Sequence, residues 1–275
     1  MILSRLQTMT QLNQVMTGSL TLSSKHCLMG INPDSWPDSV AVCIPAYNAA
    51  STLKALLPKL MTAAPKKNIC VVNDGSSDET AKLCSDMEIQ CISSPVNKGK
   101  GYALAAGFDA LIENKYRWII TMDADLQHTV EDLPKFLTAI DTHPEAGIII
   151  GSRSRKPGVM PIDRIVSNTL TSGIISLLCG TKINDSQCGF RAYASSFLET
   201  ITIECPRFEM ETEVILKACH KKVSVCNMDV QTLYFQTRSH ISHLKDTLRW
   251  IKAVTGIFLT LRLWLRMKHD GVSNA

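Results

Sequence analysis

The chain has 275 residues, 45% apolar and 6% aromatic, enough for one large α/β domain with appendages. Twenty-nine Lys and Arg against 25 Asp and Glu leave a net charge of +4, and the basic residues cluster at 153–164 and 245–268 instead of coating one face, which argues against nucleic acid as a partner and for local contact with phosphate or a membrane surface. The ten cysteines sit singly within apolar segments such as 40–45, 69–72 and 223–228, without Cys-x-x-Cys pairs, the pattern of reduced, buried thiols in a cytoplasmic protein and not of a disulfide framework.

Residues 1–39 are rich in Ser, Thr, Gln and Met and lack the apolar core of a signal peptide; they are expected to form a disordered leader. No segment approaches the roughly 20 apolar residues of a membrane-spanning helix. From Val40 onward, short β-type runs at 40–45, 69–73, 89–93, 118–122 and 147–150 alternate with helical patterns. That order predicts an α/β fold, a mostly parallel sheet covered by helices on both faces. Ligands of such sheets bind beyond the carboxyl ends of the strands, and the polar clusters of this chain fall there.

After the first strand comes Pro45-Ala46-Tyr47-Asn48, after the second Asn73-Asp74-Gly75-Ser76-Ser77-Asp78, and after the fourth Asp123-Ala124-Asp125-Leu126-Gln127-His128. Asp123 and Asp125 place two carboxylates close together, a pair that calls for a cation. With the amide oxygen of Gln127 they form a hard-oxygen set suited to Mg²⁺ or Mn²⁺, completed by water and a substrate diphosphate. The alternative is a solvated turn with helix-capping acids. Asp74 is placed to accept hydrogen bonds from a base N–H, with Gly75 allowing close backbone approach; the alternative is an ordinary Asx-type turn. Asn97-Lys98-Gly99-Lys100-Gly101 opens the helix after the third strand, where an anion or plain solvent would sit. Ser77 is the expected N-cap of the helical run through Cys84.

These residues, in this order and spacing, resemble the family 2 glycosyltransferases over almost the whole stretch from Val40 to about Arg249, and more narrowly the polyprenyl-phosphate sugar synthases, which include dolichyl-phosphate mannose and glucose synthases. The motifs that carry the resemblance are Ile44-Pro45-Ala46-Tyr47-Asn48, Val72 to Asp78, Asn97 to Gly101, Met122 to His128, Gly151-Ser152-Arg153, and Asp185-Ser186-Gln187-Cys188-Gly189-Phe190-Arg191.

The resemblance implies a GT-A fold in which Pro45, Tyr47 and Asp74 hold the base and ribose of a nucleotide diphosphate sugar. It further implies that Asp123, Ala124 and Asp125 face the nucleotide and its metal, with Gln127 as a further ligand. Arg153 and Arg164, flanking the basic loop at 154–161, are implied to receive the phosphate of a polyprenyl phosphate acceptor, which suits the planar fork of guanidinium. The chain departs from the pattern at Ala49, where many members have Glu, and at Asn73, where many have Asp. It also departs at Tyr234 and Arg238-Ser239-His240, where mannose synthases present an Arg and a Lys near a Glu-Ser pair.

The run Arg207-Phe208-Glu209-Met210-Glu211-Thr212-Glu213 places three acids before an apolar helix, where helix capping is expected. Asp185 and Gln187 fall in a turn before an apparent strand, available to orient donor sugar or acceptor. At 241–268, Trp250, Val254, Ile257, Leu261 and Trp264 recur at helical spacing with Lys245, Arg249, Lys252, Arg262 and Arg266 largely opposite, a basic amphipathic helix expected at a membrane surface more than packed on the domain. The expected organisation is thus a GT-A domain at 40–240, this helix, and a tail at 269–275.

The expected activity is inverting transfer of a hexose from a UDP- or GDP-sugar to polyprenyl phosphate, peripherally at the cytoplasmic face of a membrane, with Asp125, Arg153, Arg164 and Asp185 in the catalytic centre. Two rivals stay open: transfer to a saccharide hydroxyl with Asp185 or an acid of 209–213 as base, and a catalytically silent nucleotide-sugar-binding protein. A dinucleotide oxidoreductase is disfavoured because the first strand leads into Pro-Ala-Tyr-Asn and not into a Gly-rich turn.

Overall fold

A computed structural model describes residues 32–156, 160–233, 250–257 and 259–260. Seven strands form one sheet: β1 (Val40–Ala46), β2 (Ile69–Asp74), β3 (Gln90–Ser94), β4 (Trp118–Thr121), β5 (Ala146–Arg153), β6 (Arg191–Ala194) and β7 (Ser224–Val230), in the order β3-β2-β1-β4-β6-β5-β7. Every pairing is parallel except those of β6, which runs antiparallel between β4 and β5. The five expected strands are present within a residue or so at most ends; β6 and β7 complete the sheet.

Burial explains the sequence of the centre. Strand β1 lies between β2 and β4, and Val40, Ala41, Val42, Cys43 and Ile44 are all fully buried, because a central parallel strand is covered on both faces. The edge strand β3 is half-exposed and correspondingly polar. The helices are α1 (Ala50–Leu60), α2 (Thr80–Asp86), α3 (Lys100–Glu113), α4 (Leu133–Thr142), α5 (Ile162–Cys179), α6 (Ser195–Leu198) and α7 (Met210–His220). Helix α3 packs on β1 and β2, α4 on β5 and β7, and α7 on β5 and β7.

Three expectations are corrected. The leader is not unstructured up to residue 39: Pro33–Ser35 form a 3-10 turn capped by Asn32, and the buried Trp36 donates its indole N–H to Val40 O at 2.8 Å. Residues 1–31 lie outside the described residues. Ser77 does not cap α2. It donates to Asn48 Oδ1 at 2.8 Å, and Asp78 Oδ1 takes the Thr80 N–H at 3.0 Å instead. Of the expected C-terminal amphipathic helix, residues 250–257 and 259–260 are described as helical, and they begin by packing on the domain: Trp250 Nε1 donates to Thr212 Oγ1 of α7 at 3.0 Å and Val254 is buried. Tyr234, Arg238, His240, Leu261 and Trp264 lie outside the described residues.

Candidate active site

Because β1 to β5 and β7 are parallel apart from β6, their carboxyl ends share one edge of the sheet, and β6 begins there. The chain passes from β1 outward to β2 and β3, then returns to place β4 on the other side of β1, so a crevice opens between the β1 and β4 ends. Sequence adjacency to strand ends therefore becomes spatial adjacency.

At the β1 and β2 ends the two loops are tied together. Asn48, in the left-handed region at φ 49°, receives Ser77 N–H on its side-chain oxygen and donates its own N–H to Ser76 Oγ at 2.9 Å. Gly75, at φ 68°, lies so close to the backbone of Val96 and Asn97 that an added Cβ would stand 2.4 Å from Val96 C. The close approach expected of this glycine is thus to the chain itself. Asp74 is buried, and its two oxygens accept from Lys98 N (2.8 Å) and Gly99 N (2.7 Å) at the start of α3. Asn73, at the departure from the family pattern, accepts from Ser76 N and donates to Ser93 Oγ. Asn73 and Asp74 line a pocket of about 160 Å³ with Lys98 and Tyr102. Pro45 is half-buried within β1, and Tyr47 stands 53% exposed just beyond it.

The loop after β4 turns sharply. Leu126 adopts φ 64°, a left-handed conformation uncommon for a branched side chain, which sets Asp125 and Gln127 on either side of a tight bend; Asp125 Oδ1 takes the Gln127 N–H at 3.0 Å. Ala124 is buried beneath, and Asp125 is exposed. Asp123 lies against Gly189, where an added Cβ would stand 2.4 Å from its Oδ2, and its Oδ1 is 2.6 Å from Lys100 Nζ. Lys100 bridges onward to Glu211 Oε1, also at 2.6 Å. Burial opposes the charge of Lys100, but Asp123 and Glu211 outweigh it and hold the amine above the ordinary lysine range. Burial likewise pushes the Asp123 carboxyl up, and Lys100 more than reverses this, leaving it below the usual carboxylate range. Asp125 is raised, first by desolvation and then by the neighbouring Asp123 charge. Two acids held so that one resists ionisation beside the other are what a cation relieves.

Among the described residues no three His, Cys, Asp or Glu side chains are gathered to hold a metal by themselves. Asp123, Asp125 and the Gln127 amide are a partial oxygen set, which fits a magnesium-type ion that keeps waters and takes its remaining ligands from a diphosphate.

Arg153 ends β5 and forks onto Asp185: Nε to Oδ2 at 2.7 Å and Nη2 to Oδ1 at 3.0 Å. Asp185 is fully buried and also accepts from Asn168 Nδ2 (2.7 Å) and Gln187 N (3.1 Å). Burial disfavours its charge, but Arg153 and Asn168 prevail and hold its pKa below the usual range. A carboxylate so engaged is a poor proton acceptor, so Asp185 orients Arg153 and is not placed as a base. Arg164 lies in the first turn of α5, downstream of the basic loop, whose residues 157–159 lie outside the described residues.

The capping role expected of the 207–213 acids is also corrected. Glu211 turns inward to Lys100, and Glu213 accepts from Glu204 N, Cys205 N and Lys217 Nζ. The fully buried Arg191 donates to the carbonyls of Ser186, Cys188 and Glu211, locking the 185–191 turn onto α7. Sequence reasoning missed this chain of charges. It also missed His128, a buried imidazole packed 5.1 Å from the Phe190 ring, with Nδ1 unpartnered and the pKa lowered to about 4, chiefly by burial.

A UDP-N-acetylglucosamine–dolichyl-phosphate N-acetylglucosaminyltransferase of Methanococcus voltae is 29% identical over 217 residues, 71% of this chain and 86% of that protein. A polyprenol monophosphomannose synthase of Mycolicibacterium smegmatis is 32% identical over 171 residues, 59% of this chain and 64% of that protein. Among solved structures, glucosyl-3-phosphoglycerate synthase of Mycobacterium tuberculosis in complex with Mn²⁺, uridine diphosphate and phosphoglyceric acid superposes with a TM-score of 0.61 at 15% identity, covering 81% of this chain and 78% of that one, a likeness of fold. The model of the family described as Glycosyl transferase family 2 matches residues 41–202, a span that runs from β1 through the acidic loop and the Arg153–Asp185 pair to the end of α6, and so the chain belongs to that family of glycosyltransferases.

Proposed function

We propose that this glycosyltransferase moves a hexose from a UDP- or GDP-linked donor to a polyprenyl phosphate, with inversion, at the cytoplasmic face of a membrane. The observation that carries the reading is that the acidic Asp123–Asp125 loop and the forked Arg153–Asp185 pair stand on the same edge of the sheet, one suited to a metal-bound diphosphate and the other to a second phosphate. The names of the relatives in Methanococcus and Mycolicibacterium support the acceptor class.

In this reading Tyr47 offers an exposed ring to the base, and Asp74 both orders the start of α3 and accepts from the base with its remaining lone pairs. Asp123, Asp125 and Gln127 hold Mg²⁺ or Mn²⁺, which stabilises the charge of the departing diphosphate. Lys100 keeps Asp123 ionised and fixed in direction. Arg153, aimed by Asp185, and Arg164 position the acceptor phosphate. A phosphate is largely ionised near neutral pH and needs little help from a base, so positioning and leaving-group stabilisation are the protein's main tasks. That accords with the acids on offer: Asp185, Glu211 and Glu213 are all engaged by cations.

The test is an assay of purified protein with Mg²⁺ or Mn²⁺, labelled UDP- and GDP-sugars, and a polyprenyl phosphate in detergent. Metal-dependent movement of label into the organic phase is expected. Transfer to soluble saccharides instead, or donor binding without consumption, would overturn the reading.

A further inference from the structure

Two cysteines meet against the end of β2. Cys84 lies near the end of α2 and is fully buried, whereas Cys91 is half-buried in β3, the edge strand of the sheet. Helix α2 packs on β3, and the two side chains are hydrogen-bonded to each other. Cys91 Sγ also stands 3.6 Å from Ser93 Oγ and meets the N–H of Asn73. Asn73 Nδ2 in turn donates to Ser93 Oγ at 3.2 Å, which leaves the hydroxyl hydrogen of Ser93 for the sulfur. An ionised Asp at 73 would have no hydrogen to give Ser93, so the amide sets the direction of this chain of bonds. Donors from Cys84, Ser93 and Asn73 thus converge on one sulfur. Led by the Cys84 S–H, they outweigh burial and hold the Cys91 thiol below its ordinary range; the same bond, with burial, holds Cys84 above it. A readily ionised thiol on an open edge, backed by a protonated and buried one, has the layout of an attacking and a resolving cysteine. Cys43, Cys70 and Cys188, by contrast, are pushed up by burial.

We propose that Cys91 and Cys84 are a redox-sensitive pair that closes a disulfide by exchange with a small-molecule disulfide such as glutathione disulfide, and that closing it weakens nucleotide binding. The Cys91 sulfur attacks one sulfur of the oxidant, forming a mixed disulfide and releasing one glutathione thiolate. Cys84 then gives up its proton and attacks the Cys91 sulfur, forming the internal bond and releasing the second glutathione, which takes the proton. Two electrons pass from the cysteine pair to the oxidant, which is reduced to two thiols. Two sulfurs already in hydrogen-bond contact have only to close to about 2.0 Å. Closure removes the acceptor that Ser93 and the Asn73 N–H share. Asn73, Asp74, Ser93 and Lys98 line the pocket of about 160 Å³, and Asn73 Oδ1 accepts from Ser76 N at 3.0 Å in the loop that is tied to Asn48. The consequence for nucleotide binding rests on the reading above, in which Asp74 meets the base.

The experiment equilibrates the full chain with glutathione disulfide, blocks the remaining thiols with iodoacetamide, maps the peptides by mass spectrometry, and measures UDP and GDP binding with Mg²⁺ by calorimetry. The tryptic peptide 83–98 holds both cysteines. It should be recovered unalkylated and lighter by two hydrogens, and affinity for the nucleotide that binds should fall by about tenfold or more and return with dithiothreitol. Cys84→Ser should stop at the glutathione adduct on Cys91, and Cys91→Ser should keep its nucleotide affinity under oxidation. Asn73→Asp, which turns the Ser93 hydroxyl away from the sulfur, should slow iodoacetamide labelling of Cys91 severalfold. Cys91 left unmodified while Cys219 is oxidised would overturn the proposal, as would a Cys84–Cys91 bond that leaves nucleotide affinity unchanged. If the reduced chain binds neither nucleotide while the bond still forms, the nucleotide reading falls together with the consequence drawn from it, and the exchange itself stands.

Discussion

Lys100 Nζ lies 2.6 Å from Asp123 Oδ1, so the first acid of the loop after β4 is held by an ammonium from the start of a helix. The same ammonium satisfies the buried Glu211, which in turn lies 3.8 Å from the guanidinium of the fully buried Arg191. Alternating charges thus run from the core to the edge of the sheet, and on that line Lys100 outweighs burial to hold the Asp123 carboxyl below the usual carboxylate range.

Removing the ammonium should therefore be costly. Lys100→Met leaves Glu211 with its near cation gone and Asp123 without a counterion, and a loss of about 3–5 kcal/mol is expected from breaking a buried pair. Urea denaturation measures it. The double variant Lys100→Met/Glu211→Gln should recover part of the loss; no recovery would mean that Glu211 finds adequate compensation elsewhere.

Asp125→Asn should separate stability from activity. Desolvation and then the Asp123 charge push the Asp125 carboxyl up, so a neutral isostere removes an unfavourable charge and the unfolding temperature should hold or rise slightly. Donor turnover should fall by about 10²–10³-fold, the scale of losing one electrostatic partner of a developing charge. Steady-state kinetics with saturating Mg²⁺ and a melting curve test both halves.

Arg153→Lys preserves charge but cannot fork onto Asp185 as Nε and Nη2 do at 2.7 and 3.0 Å. KM for the phosphate acceptor should rise about tenfold or more while donor binding, measured by calorimetry, stays unchanged. Asp185→Asn should act in the same direction through a less firmly held Arg153. A selective effect on donor affinity would instead assign this pair to the diphosphate.

The pH dependence of stability should carry the signature of His128. In the unfolded chain this imidazole takes up a proton near its ordinary value of 6.5, whereas in the fold, chiefly through burial, it does so only at about 4. Between those values the unfolded state binds more protons, so stability is full above pH 6.5 and declines as pH falls toward 4, by on the order of 3 kcal/mol. Urea unfolding in EDTA across this range checks the slope. His128→Phe keeps a ring against Phe190 and should flatten the profile over that window.

Sequence alone determined the sheet and the edge at which its polar residues gather. The apolar runs of β1, β2, β4 and β5 have the continuous character that only strands buried on both faces require, and polar residues placed immediately after them must gather at one edge once the strands are parallel. Tyr47, Asp74, Asp123, Asp125, Gln127 and Arg153 were legible for that reason. Only the tertiary structure decided the partners. Whether Glu211 caps its helix or neutralises Lys100 depends on a contact spanning 111 residues, and whether Asp185 is a base or the fork that holds Arg153 depends on one spanning 32. The orientation of α5 was equally hidden: the spacing of Ile162, Val166, Leu170, Ile174 and Leu177 is that of any buried helix, yet these side chains are exposed and the covered side holds Ile175 with Asn168 and Ser172, the last two bonded to the turn around Asp185. Periodicity encodes that a helix has two faces; long-range packing selects which of them is covered.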